Sequence, residues 1–178
     1  TGVLQPVDPV ANLNFALKLF PETKRVLLLT TWTPAGKLVK AQTEQFFREH
    51  PAVKLVYIDN ETIDTPKMLN DAAALGKDSL ILYYAWYNKQ AVNFSSLQHV
   101  MANLGNNPNA PVLVMHDSMM RYGVIGGIMA RAERVGEDTA QIVAGILRGE
   151  KASEIPIQNA PVELMVNWDQ LNFYQVAP

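Results

Sequence analysis

Arg25-Val26-Leu27-Leu28-Leu29-Thr30-Thr31 is a run of β-favouring residues with no polar position in its apolar centre. A strand half-exposed to water alternates apolar and polar side chains, so an unbroken run predicts a strand covered on both faces. Strands of that kind belong to parallel sheets flanked by helices, and the flanking sequence agrees. Pro34 and Gly36 mark a turn into a helix through about Glu49, with Leu38, Val39, Gln42 and Phe46 on one face. Upstream, Asp8-Pro9 opens a helix on which Val10, Leu13, Leu17 and Phe20 recur at helical spacing. Asp8 is the N-cap, Pro9 fits the first helical position, and Pro21 stops the helix.

The alternation continues to the end of the chain. Val53–Ile58 reads as a strand, and Thr65-Pro66 caps a helix to about Leu75 that Gly76 terminates. Ser79–Tyr84 is the next strand, Phe94–Leu104 a helix, and Pro111–His116 a strand. Gly123–Ala130 fits a further strand, with Gly126-Gly127 where backbone approaches something closely. Glu137–Arg148 is a helix with Val143, Ile146 and Leu147 inward, capped by Gly149, and Glu163–Trp168 is a last short strand. Strands separated by helices in this way imply an α/β fold, a three-layer sandwich with a mainly parallel sheet. Ligands of such sheets sit beyond the carboxyl ends of the strands, near the point where strand order reverses. Four loops qualify: Thr31–Gly36, Asp59–Thr62, Ala85–Lys89 and Asp117–Tyr122.

Bulk composition narrows the chemistry. The 178 residues fit one domain, 48% of them hydrophobic and 18% charged. A net charge of −2 gives no general attraction to nucleic acid or to anionic membranes. The longest apolar runs fall far short of the roughly 20 residues that span a bilayer, so no membrane span is expected within this chain. The absence of cysteine excludes zinc–thiolate sites, thiol nucleophiles and disulfides. Thr1-Gly2-Val3 has neither a basic start nor an apolar signal core, and a first residue other than Met reads as a processed or engineered fragment.

Catalytic motifs are missing. Gly123-Val124-Ile125-Gly126-Gly127 has the wrong spacing for a dinucleotide fingerprint, and Ala35-Gly36-Lys37-Leu38 lacks the frame of a phosphate loop. No glycine frame poses Ser118 as a nucleophile. His116-Asp117 is the one pair suited to a metal or to acid–base work, but no second His stands at ligand spacing, and local hydrogen bonding at a strand end is favoured. His50 and His99 read as surface residues. Asp59, Glu61 and Asp64 lack the ligand ladder of a calcium loop, so they form a solvated loop. Asn93-Phe94-Ser95 matches a glycosylation sequon that is common by chance. No catalytic residue, metal or cofactor is expected.

Aromatic residues are the distinctive feature. Trp32 follows the first long strand, and Tyr83, Tyr84, Trp86 and Tyr87 surround the end of another, beside the hydroxyls of Thr30, Thr31 and Thr33. Rings that stack on a flat ligand, with hydroxyls fixing its polar edge, are a common way to line a small-molecule cleft. Tyr83 is expected in the core. For Trp32, Trp86 and Tyr87, packing against helices and facing a ligand both remain open.

The stretch from Tyr122 to Ile157 carries a resemblance. Gly123-Val124-Ile125-Gly126-Gly127, then Gly136, then Ile146-Leu147-Arg148-Gly149-Glu150 through Ile155-Pro156-Ile157, resembles the ABC-transporter substrate-binding-protein-like family. Leu17–Val26 looks like that family's approach to its second lobe, and Asp78–Leu82 and Pro111–Val114 match its next strands. The resemblance implies a type I periplasmic-binding-protein fold with small-molecule binding, no catalysis and a periplasmic location. It also implies a two-lobed parent, of which this single α/β domain is the second lobe (about residues 1–122) plus a segment (about 123–178) that returns towards a missing first lobe. By the same resemblance, Thr31, Thr33, Trp86, Tyr87 and Asp117 line the cleft. An isolated lobe would leave an apolar face, which a homodimer could cover.

The closing run Asn159-Ala160-Pro161 through Trp168-Asp169-Gln170-Leu171 looks most like extracytoplasmic sensor regions that precede a membrane segment and a cytoplasmic histidine kinase or diguanylate cyclase. The second reading is a free solute-binding protein of an ABC transporter. The third is a small flavodoxin-like or nucleotide-using enzyme working through His116, Asp117 and Ser118.

Overall fold

A computed structural model describes residues 1–58, 60–87, 96–105 and 107–176. Alternate residues of the Arg25–Leu29 run do go to opposite sides. Val26 and Leu28 pack with helix residues Leu13, Val39 and Phe46, whereas Leu27 and Leu29 pack with Met68, Met101 and Leu104. The sheet is therefore a filling between two helical layers, as its composition requires.

In chain order the elements are β1 (Gly2–Leu4), α1 (Pro9–Leu19), β2 (Arg25–Leu29), α2 (Pro34–Glu49), β3 (Lys54–Tyr57), α3 (Thr65–Ala73) and β4 (Ser79–Tyr83). They continue with α4 (Leu97–Gly105), β5 (Val112–Val114), a 3-10 turn (Asp117–Tyr122), β6 (Gly126–Ala130), α5 (Ala132–Leu147), β7 (Ile157–Asn159), β8 (Val162–Val166) and α6 (Trp168–Phe173). Six strands form the main sheet in the order β3-β2-β4-β5-β6-β8, parallel except for β8, which runs antiparallel to β6. Helices α1 and α2 cover one face, α3 and α4 the other. The expected α/β architecture with a mainly parallel sheet is what the structure has.

Strand order reverses between β2 and β4. The chain leaves β2 across one face through α2 to reach β3, then returns across the other face through α3 to reach β4 on the far side of β2. A crevice between the two departing loops follows from that topology.

A side chain extends one of the ladders. The β5–β6 pairing reaches only Leu113↔Gly126. Beyond it, the amide of Asn12 in α1 takes over: its Nδ2 donates to the Ile128 carbonyl at 2.9 Å, and its Oδ1 accepts the Ile128 N–H at 2.8 Å. Gly127 makes room for this, since a Cβ there would come within 2.3 Å of both Asn12 Oδ1 and the Val114 carbonyl. The Gly126-Gly127 pair thus sits at a close approach, as its sequence suggests.

Several local expectations are corrected. The strand expected over Gly123–Ala130 begins at Gly126. The helix expected from Glu137 begins at Ala132, because Asp117, remote in sequence, caps it. Asp64, not Thr65, caps α3: its side chain accepts the Lys67 N–H at 2.9 Å. On α2, Val39, Thr43, Phe46 and Phe47 are buried while Leu38 is exposed, so the inward stripe is rotated from the one expected.

The largest correction concerns α5. Val143, Ile146 and Leu147, expected inward, are exposed, Leu147 by 83%. The reason is what α5 packs on. It lies against β1, which pairs only with β7 in a separate two-stranded parallel sheet, too narrow to cover a helix face. β6 and β8 belong to the main sheet, whereas β1 and β7 pair in the small one.

Candidate functional site

The loop after β2 is tightly knitted. Thr33 caps α2 through its hydroxyl, which accepts the Gly36 N–H at 3.3 Å and lies 2.6 Å from the Thr31 hydroxyl. Thr30 Oγ1 donates to the Gly36 carbonyl at 3.1 Å. Glycine is required at 36: a Cβ would fall 2.2 Å from the Thr31 carbonyl oxygen. This loop therefore delivers the hydroxyl pair and the N-terminal amides of a 16-residue helix to the carboxyl edge of the sheet.

Asn60, just beyond β3, joins the same loop. Its Nδ2 donates to the Thr30 carbonyl at 2.5 Å, while its Oδ1 is buried with no hydrogen-bond partner. A buried acceptor left unpaired costs about 1–3 kcal/mol, so a donor is wanted there. Sequence reasoning missed Asn60 because an asparagine after a strand reads as a turn residue.

Across the crevice, the loop after β4 separates its aromatics sharply. Tyr83 is buried, as expected. Its hydroxyl is pushed well above the ordinary tyrosine range by burial, partly offset by a backbone hydrogen bond with Trp86. Trp86 is also core, 5% exposed, with its indole N–H donating to the Thr65 hydroxyl at 3.2 Å. Tyr87 is 52% exposed, and Trp32 on the opposing loop is 39% exposed. Trp32 and Tyr87 are thus the exposed rings of the loops after β2 and β4, and Tyr84 is half-buried. Burial raises the Tyr84 pKa, with a smaller contribution from Tyr87.

The last loop holds His116 and Asp117. His116 lies against the Tyr84 ring, centroids 5.6 Å apart, and burial lowers its pKa, partly opposed by Asp117. The Asp117 carboxylate accepts the Ala132 N–H at 2.7 Å, so it caps α5. His50 and His99 are on the surface, as expected. Of the six candidates, Thr31, Trp32 and Thr33 share the loop after β2, where Thr31 is buried with its hydroxyl against that of Thr33, and Tyr87 lies on the loop after β4. The structure places Trp86 beneath that loop in the core and engages Asp117 with a helix. Asp59, Asn88, Lys89 and the Asn93–Ser95 sequon lie outside the described residues. Among the described residues, no group of three or more His, Asp or Glu side chains could hold a metal ion, and no helix is long and apolar enough to cross a membrane.

Known structures share this fold over nearly the whole chain. A substrate binding protein with adhesive properties from Clostridium difficile, in its ligand-free open form, superposes with a TM-score of 0.70 at 18% identity, covering 100% of this chain and 59% of that one. The fold is that of one lobe of a type I periplasmic binding protein. A conserved domain protein from Vibrio cholerae matches this lobe equally well, with a TM-score of 0.70 at 17% identity over 99% of this chain and 58% of its own. An ABC domain from Streptococcus pneumoniae in complex with L-Trp follows, with a TM-score of 0.67 at 13% identity over 98% and 58%. The chain spans about three fifths of the length of the structures it matches. No protein-family model and no curated protein matches the sequence.

Proposed function

We propose that this chain is the second lobe of a two-lobed, non-catalytic small-molecule receptor, the extracytoplasmic sensor region of a membrane-bound bacterial signalling protein such as a histidine kinase or diguanylate cyclase. One arrangement supports the binding role: the two loops that leave the sheet at the strand-order reversal carry the exposed side chains of Trp32 and Tyr87, the first of them beside the Thr33 hydroxyl. Rings flanking a polar edge suit a planar metabolite such as an amino acid or purine, and hydroxyls also serve a sugar or peptide. One superposable structure is named a substrate binding protein, and another, an ABC domain, is in complex with L-Trp. The engagement of Asp117 by Ala132 and of His116 by Tyr84 supports binding over an enzyme working through that pair.

The stub formed by β1, β7 and α5 supports a missing first lobe. Leu4, Ile157, Val143 and Leu147 all stand exposed there, and a two-stranded sheet of three-residue strands is not stable alone. A first lobe continuing that sheet would cover them and supply the other wall of the cleft. Ligand would then close the two lobes by binding the closed form more tightly.

The second reading, a free solute-binding protein delivering its ligand to a transporter from the periplasm, shares this binding physics. The sensor reading rests on the closing run from Asn159 to Leu171. The deciding experiment is a thermal-shift screen of the two-lobed parent against amino acids, purines, sugars and short peptides. A ligand at 100 times its Kd adds roughly 2.7 kcal/mol of stability. A hit whose shift vanishes with Trp32→Ala or Tyr87→Ala supports the crevice. A hit unaffected by both removes it. Ligand-dependent output from the parent's signalling domain then separates sensor from transporter partner.

A further inference from the structure

The amino ends of the strands, at the pole opposite the crevice, concentrate positive charge. Lys18 stands in the last turn of α1, Lys24 just before β2, Lys54 at the start of β3 and Lys77 just before β4. All four are exposed, and among the described residues none is in an ion pair. Backbone pairing holds three of them on one edge: the Lys24 N–H donates to the Asp78 carbonyl at 2.8 Å, and the Lys54 N–H to the Lys24 carbonyl at 2.8 Å. Arg25 and Asp78 neutralise each other at 2.7 Å, and neighbouring Arg48 and Glu49 offset one another. Four lysines against the carboxylates of Glu22 and Asp169 leave a net +2 at this pole, in a chain whose total is −2. Overall charge conceals the asymmetry.

The same pole is aromatic. Phe20 and Tyr174 meet edge-to-face at 6.1 Å, and Phe173, exposed, packs edge-on to Tyr174 at 5.0 Å. Lys18, Lys77, Phe20 and Tyr174 share a cavity of about 420 Å³. Tyr174 is anchored by its hydroxyl, which donates to the Asn107 carbonyl at 2.6 Å.

We propose that this pole docks on an anionic lipid bilayer. Lysines lay their alkyl stems on apolar surface and extend their ammonium groups to phosphates, and aromatic rings settle at headgroup depth. A nucleic acid fits less well, because the one arginine at the centre of the patch is held by Asp78 and the free cations are lysines, which lack the planar fork. Docked in this way, the lobe points its crevice away from the membrane. The inference stands on the charge pattern and does not depend on the ligand or on the sensor reading.

The test is co-sedimentation of this chain with vesicles of phosphatidylcholine alone or mixed with phosphatidylglycerol in equal parts. Binding is expected only to the mixed vesicles and is expected to be lost at about 1 M salt, where the screening length falls to about 3 Å. Each single Lys→Gln change at positions 18, 24, 54 or 77 should weaken partitioning about fivefold, and Lys→Arg should preserve it. Phe173→Ala should weaken the binding that persists at intermediate salt. Equal binding to both vesicles, no binding at low salt, or full binding by a folded variant with all four lysines changed to glutamine would overturn the proposal. So would duplex DNA competing as well as lipid at equal charge, which would make the pole a general polyanion surface. If the fourfold variant unfolds, the single changes and the salt series on the unaltered chain still decide.

Discussion

The carboxylate of Asp117 caps a helix that begins fifteen residues later, accepting the Ala132 N–H at 2.7 Å. Arg131, the residue before α5, makes no side-chain cap of its own. The turn after β5, at the carboxyl edge of the sheet, is thereby tied to α5, which packs on β1. The neighbouring passages between the two sheets are also joined: the Ala160 N–H donates to the Leu4 carbonyl at 2.8 Å, and Gln5 Nε2 reaches the Ala130 carbonyl at 3.4 Å. Three chain segments that pass from the main sheet to the stub run side by side, and Asp117 fastens one of them to the crevice.

Asp117→Ala should therefore destabilise the start of α5 rather than the main sheet. Loss of an N-cap costs about 0.5–2 kcal/mol. Hydrogen exchange should quicken at residues 132 to 135 while β2 and β4 stay protected, and Asp117→Asn, which keeps an acceptor, should recover most of the loss. Uniform exchange across the lobe would contradict this role.

The aromatics divide into structural and exposed sets, and substitution should separate them. Trp86→Ala removes a buried ring and a hydrogen bond to Thr65, a loss of about 3–5 kcal/mol. Trp32→Ala and Tyr87→Ala should each stay within about 1 kcal/mol of the parent stability while weakening ligand binding to the two-lobed protein. Urea midpoints with unchanged slopes check the first half. A large destabilisation by Tyr87→Ala would show that ring to be structural instead.

How much of this was legible beforehand depends on the range of the interaction. The Arg25–Leu29 strand, the helix from Pro34 and the carboxyl-edge loops follow from local composition and periodicity, and the structure has them. What local patterns miss are long-range substitutions of one group for another. Asn12 looks like a polar residue in an amphipathic helix, yet it completes a strand ladder 116 residues away. Asp117 looks like a site residue, yet one of its carboxylate oxygens caps a remote helix. Val143, Ile146 and Leu147 have the periodicity of a buried face, and periodicity cannot say whether the covering layer is in the same chain segment. Trp86 and Tyr87 are neighbours in sequence with opposite exposures, and both lie beyond the end of β4, where no strand alternation says which ring faces inward.

Asn12→Ala should be costlier than its place on a helix suggests. It removes both partners of Ile128 where the β5–β6 ladder has already ended. Each orphaned buried group costs about 1–3 kcal/mol. Asn12→Asp restores the acceptor but not the donor, so it should not rescue. Chemical denaturation of the three proteins checks the order. An alanine variant within about 0.5 kcal/mol of the parent would mean that water replaces the amide without penalty.

His116 gives the fold a pH dependence whose sign can be worked out. Burial beside the Tyr84 ring lowers its pKa from 6.5, and Asp117 opposes that shift only in part. The unfolded chain therefore binds the proton more readily than the folded one. Stability rises with pH wherever the unfolded state holds more protons. It should climb through about 6.5, where the unfolded imidazole is half-protonated, and flatten about one pH unit higher. As pH falls through that window the contribution is lost. Asp78 acts separately: its hydrogen bond and charge contact with Arg25 hold its pKa below 3.8, so its loss comes at more acid pH. His116→Gln should flatten the upper slope and leave the acid limb intact, read as thermal midpoints between about pH 4.5 and pH 8. A slope that survives the substitution would assign the titration elsewhere. Asp117→Asn in the same assay should steepen it, because removing the opposing carboxylate lets burial push the imidazole further down.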